Sequence, residues 1–130
     1  MPEVNVVAVL VATVVAFVLA AAYYLVLGGP LARESDAAAA AGPMPPWKVA
    51  AELTRALLVV LVVAGLAAAA EIDEWTGGLL LGLALWIGFP IVLWIGAVIH
   101  EGTSWRLAAI HAGDWLVKLL TVALIVSVWQ

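Results

Sequence analysis

Cysteine is absent from the 130 residues, which excludes a disulfide framework, a thiolate metal site and a cysteine nucleophile. Charge is scarce as well: Asp, Glu, Lys and Arg make up 11% of the chain, with five basic residues against nine acidic ones. The net charge of −4 argues against nucleic acid as a partner, since that interaction needs a basic surface. The opening residues, MPEVNVV, lack the basic n-region of a signal peptide, and no small-residue cleavage pattern follows. The first apolar segment is therefore expected to be kept as a true span. No serine elbow, phosphate-binding glycine loop or dinucleotide fingerprint occurs, and the two histidines and the acids show no recognised metal-ligand spacing. Neither an enzyme nor a bound metal or cofactor is expected.

What is present is hydrophobicity. Residues of the hydrophobic class make up 67% of the chain, far more than a soluble core can hide. The segmentation predicts an all-α polytopic membrane protein, one domain over 1–130, with four transmembrane helices in a compact bundle. They are placed at about 4–27, 47–70, 77–99 and 105–129, each long enough for a ~30 Å hydrocarbon core. Asn5 reads as the cap that starts the first helix. Gly28-Gly29-Pro30 is expected to end it, leaving 28–46 as a long loop, with Pro46 tolerated in the first turn of the second helix. Tyr23, Tyr24, Trp47, Trp75, Trp105 and Trp129 fall where aromatic rings anchor spans at the headgroups. Gly78 and Gly82 form a small-xxx-small pair suited to close helix packing, within the chain or against another copy. Pro90 predicts a kink in the third helix between Trp86 and Trp94.

The fourth segment, WRLAAIHAGDWLVKLLTVALIVSVW, organises the rest. It carries His111, Asp114 and Lys118 within roughly 60° of one another on a helix, with Thr121 beside them. Asp and Lys near the centre of a span cost ~2.5–3.5 kcal/mol each, nearly cancelling what the apolar residues of this helix return. This stripe must face protein or water. Asp114 and Lys118 stand in the favourable i,i+4 order and can neutralise each other, as can Glu52 and Arg55 three apart on the second helix.

The acidic EIDEWT loop and both ends of the chain share one side of a four-span protein, and that side has no Lys or Arg. Arg33, Lys48 and Arg106 mark the other side, with Arg55 just inside it. The positive-inside rule then makes 28–46 cytoplasmic and both termini external, with the cell membrane as location. Counting depth from Trp47 and Trp105 sets Glu52 level with His111 and Arg55 level with Asp114. His100 at the cytoplasmic end of the third helix completes the set. Glu52, Arg55, His100, His111, Asp114 and Lys118 are expected to line a polar vestibule, closed toward the outside by Val122–Val128.

Four stretches resemble one family of small prokaryotic membrane proteins, the domain of unknown function numbered seventeen sixty-one. They are Val4-Asn5, the tyrosine-to-glycine end of the first helix at Tyr23–Gly29, LLLGLALWIGF at Leu79–Phe89, and HEGTSWRLAAIHAGDWLV at His100–Val117. The resemblance implies four membrane helices and no established activity. It also implies that Asp114 stands where relatives carry an aromatic residue, making the Asp114–Lys118 pair a specialisation of this chain.

Two functions follow. The preferred one is a non-catalytic bundle in the lipid bilayer that packs against itself as a homo-oligomer or against another membrane protein. The alternative is a transporter or channel-like protein that moves protons or a small solute through the vestibule, with His111 and Asp114 exchanging protons.

Overall fold

A computed structural model describes residues 4–34 and 44–130. Among them are five helical segments: α1 Val6–Glu34, α2 Pro46–Ala69, α3 Trp75–Gly88, α4 Pro90–Glu101 and α5 Trp105–Val128. α3 and α4 together make one broken helix, so four helices are long and apolar enough to cross a membrane. They are all-helical in the expected order.

Local chemistry explains most of the ends. The Asn5 side chain accepts from the Ala8 N–H at 3.1 Å and caps α1. Pro46 opens α2 at a position whose N–H has no helical partner to lose. Gly102 adopts the left-handed conformation (φ 67°) and closes α4. Ser104 caps α5, its hydroxyl oxygen accepting from the N–H of Arg106 and Leu107. The break between α3 and α4 sits at Phe89, just before Pro90, inside the expected interval.

One end was misplaced. α1 does not stop at Gly28-Gly29-Pro30 but runs on to Glu34. Pro30 removes a single helical bond near the end of the segment. The extension is tied down by Glu34, whose carboxylate accepts from the Ser104 hydroxyl at 2.6 Å and lies 4.0 Å from Arg106. The expected loop over 28–46 is shortened accordingly, and its part at 35–43 lies outside the described residues.

α5 is the hub. It packs against each of the other four segments, most extensively against α3 and α1, and carries more buried residues than any of them. α2 and α5 run parallel, with α1 and α3–α4 antiparallel to them. The Gln130 amide donates to the Ile72 carbonyl at one end of the bundle, while Glu34 and Ser104 meet at the other.

The core fills only one half. Val9, Ala12 and Ala16 of α1 meet Ala56, Val60, Val63, Ala64 and Ala67 of α2 and Leu119, Val122, Ala123 and Val126 of α5. So many alanines let the helices approach closely, and Val60, Val122 and Ala12 are wholly enclosed. Around this core lies an apolar shell: Leu25, Leu80, Phe89 and Leu93 are all more than two-thirds exposed.

Gly78 and Gly82 are buried against α5. A Cβ on Gly82 would lie 2.8 Å from the Leu119 carbonyl oxygen, and one on Gly78 2.9 Å from that of Ala123. The small-residue face is thus used within the chain, where backbone meets backbone.

A polar vestibule as the candidate functional site

Beyond Ala16 on α1 and Ala56 on α2 the packing changes character. A cavity of about 800 Å³ opens among α1, α2, α5 and the Trp94 side of α4. Its lining runs along α1 from Ala16 to Leu31, about 22 Å at ~1.5 Å per residue, so it occupies the half that the core leaves free. The volume falls in the range of small-ligand pockets.

Charge is arranged along it by depth. Arg55 and Glu52 stand at the open end, paired at 2.6 Å with side chains 62% and 38% exposed. Asp114 and Lys118 lie at the floor, paired at 3.2 Å with side chains only 7% and 13% exposed. Lys118 also rests over the Trp115 ring, 4.5 Å from its centroid, a cation–π contact that helps hold the ammonium in place. Each acid is neutralised by a base on its own helix. The Arg55 guanidinium reaches Glu52 rather than Asp114, so the equal depth of the two helices does not become an ion pair between them.

Asp114 is instead joined to α1. The Tyr24 hydroxyl lies 3.2 Å from Asp114 Oδ2 and 2.7 Å from His111 Nδ1. The His111 ring stacks on Trp94 at 4.9 Å between centroids, with an interplanar angle of 11°. α5 is pinned on two more sides at this level. Tyr23 donates to the Ile110 carbonyl, and Trp86 donates through its indole N–H to the Ala112 carbonyl at 2.8 Å. Gly113 makes the first of these bonds accessible, since a Cβ there would collide with the Tyr23 hydroxyl.

Five of the six expected vestibule residues, Glu52, Arg55, His111, Asp114 and Lys118, line the same cavity. His100 does not: it is exposed near the end of α4. The expectation rests on its depth at the cytoplasmic end of the third helix, whereas beyond the break at Phe89 it is Trp94 whose ring stacks on His111. Tyr23 and Tyr24 also depart from expectation. They are not at a helix end, because α1 continues ten residues' worth of helix to Glu34, so their phenols point into the bundle as hydrogen-bond donors. Trp47, Trp75, Trp105 and Trp129 remain exposed at the helix ends, and Lys48 and Arg106 lie over the rings of Trp47 and Trp105. Tyr24 and Trp94 are the site residues that sequence reasoning missed. Their signal is a depth equal to that of His111, readable only once the true end of α1 and the break between α3 and α4 are known.

Among the described residues no cluster of His, Asp and Glu converges as a set of metal donors. The model of the family described as "Protein of unknown function (DUF1761)" matches residues 7–127. The chain belongs to this family. Every vestibule residue of this DUF1761 protein falls within the match, as do Gly78, Gly82 and Pro90. No curated protein and no solved structure shows a match to it.

Proposed function

We propose that this DUF1761 protein is a non-catalytic, multi-pass bundle of the cell membrane whose vestibule admits protons or a small polar solute from the cytoplasmic side. The observation that carries the reading is the cavity of about 800 Å³, lined by His111 and both ion pairs and bordered by the alanine-rich core. Ionisable side chains within a membrane face the bundle interior or a water-filled cavity and mark ion and solute paths; here Glu52 and Arg55 are exposed on the cavity wall, and Asp114 and Lys118 lie at its floor with little exposure. The small-residue face that favoured a partner-binding bundle is consumed between α3 and α5, which leaves that reading without its motif.

Orientation follows from the Lys and Arg distribution, which puts Arg33, Lys48, Arg55 and Arg106 at the vestibule end and none at the end that carries both termini. The vestibule then faces the cytoplasm, and the core from Val9 to Val126 is the seal toward the outside. Passage requires that seal to open.

The test is flux into liposomes. With the native chain, a trapped pH-sensitive dye should report proton entry, or light scattering should report glycerol or glycine entry, above protein-free vesicles. Asp114→Asn keeps the size of the side chain but removes the charge at the floor, and should abolish most of that entry. Native liposomes no leakier than empty ones to any of the three probes would overturn the proposal.

A further inference from the structure

The hydrogen bonds around His111 identify which of these species the vestibule takes. Tyr24 has one hydroxyl proton and two neighbours for it, His111 Nδ1 at 2.7 Å and Asp114 Oδ2 at 3.2 Å. The Lys118 ammonium donates to the same Oδ2 at 3.2 Å, and in this ion pair the carboxylate oxygen is an acceptor. The phenol proton must point at Asp114. Otherwise two sets of lone pairs would face each other across that contact. The phenol oxygen then accepts from His111, which fixes the neutral imidazole as its Nδ1–H tautomer. Nε2 is left with a free lone pair, on a ring that belongs to the cavity wall and that Trp94 holds by stacking.

Resting on the vestibule reading, we propose that the species taken up is the proton and that His111 Nε2 is the atom that receives it, with Tyr24 relaying charge to Asp114. A hydronium ion of the vestibule gives its proton to Nε2 and leaves as water. The Nδ1 proton passes to the Tyr24 oxygen as the Tyr24 proton passes to Asp114 Oδ2. One proton has entered, Asp114 is neutral, and His111 is the Nε2–H tautomer. Lys118 has then lost its counter-ion and keeps only the Trp115 face, so proton uptake frees a cation at the floor of the vestibule.

The surrounding charges suit this role. The titratable groups that share the cavity with His111 are Tyr24 from α1, Glu52 and Arg55 from α2, and Asp114 and Lys118 on α5; Tyr23 bonds the neighbouring Ile110 carbonyl, and the uncharged Trp94 of α4 stacks on the ring. Glu52 and Arg55 cancel, as do Asp114 and Lys118. The proton that enters through His111 and comes to rest on Asp114 therefore sets the net charge of the vestibule.

Nitrogen-15 spectra of the full chain in lipid nanodiscs test the relay apart from transport. The chain has two histidines, so a His100→Gln background leaves one imidazole to observe. The native site should give the Nδ1–H pattern when the imidazole is neutral, and Tyr24→Phe should shift it toward the Nε2–H form. Proton flux in liposomes should fall about a hundredfold in Tyr24→Phe and in His111→Gln, as expected when a proton-transfer group is lost. An Nε2–H signal in the native chain, or one that Tyr24→Phe does not move, overturns the relay while leaving the vestibule reading to the flux assay. An Nδ1–H signal that Tyr24→Phe abolishes, without proton, glycerol or glycine flux in native liposomes, overturns the vestibule reading and the proposal with it.

Discussion

Asp114→Leu should destabilise the protein by about 3–5 kcal/mol, because it strands the Lys118 ammonium in a site that is almost closed. The two groups meet at 3.2 Å with little exposure, and the face of Trp115 cannot replace a carboxylate. Lys118→Met in the same chain should restore much of the loss, since an apolar pair of similar size has no charge to compensate. The coupling from this double-mutant cycle should be large. A parallel cycle with Arg55→Met should be additive within about 0.5 kcal/mol, because Arg55 is spent on Glu52 and shares no hydrogen bond with Asp114. Thermal unfolding in detergent measures both. Equal couplings in the two cycles would place the main electrostatic contact between α2 and α5 and contradict the pairing described above.

Gly82→Ala should also be costly, by about 1–3 kcal/mol, although alanine is the better helix former. The added methyl meets the Leu119 carbonyl oxygen at 2.8 Å and the Leu120 Cα at 3.1 Å, both backbone atoms, so relief requires α3 and α5 to separate. α5 is the hub, and moving it also disturbs the bonds from Trp86 and Tyr23 that hold it at the level of Asp114. Gly96 is the control. A Cβ there meets nothing within 4 Å, so Gly96→Ala should be neutral or stabilising by up to about 1 kcal/mol. Equal melting temperatures for the two variants in detergent would mean that the glycine face does not set the α3–α5 distance.

Much of this architecture can be read from the residues. Unbroken apolar runs, caps such as Asn5 and Pro46, and Pro90 in the middle of the third run give the spans, their order and the position of the break. The Asp114–Lys118 and Glu52–Arg55 pairs follow from helical spacing alone, which is why they were found. Contacts between helices are a different problem. Gly28-Gly29-Pro30 is a strong stop signal that tertiary contacts at Glu34 override, and with the wrong end for α1 the tyrosines look like headgroup anchors. Across Pro90 the helical phase is set by the actual dihedral angles at Phe89, φ −123° and ψ −74°, and no spacing rule supplies them. His100 has the depth expected of a vestibule residue but is exposed, and Trp94 holds the face that stacks on His111.

A water-accessible vestibule that stops at a dry core should be visible in cysteine labelling, for which the chain offers a background free of native cysteine. Single cysteines are introduced at Ala20 on the vestibule wall, at Ala12 in the core and at Leu61, which is 45% exposed on the outer shell. Each variant is reconstituted in vesicles and treated with a charged, membrane-impermeant maleimide from one side at a time. Labelling of Ala20→Cys from the cytoplasmic side alone, with Ala12→Cys and Leu61→Cys unreactive from both sides, is the predicted result. An Ala20→Cys thiol that is unreactive from both sides, or reactive only from the outside, would contradict it.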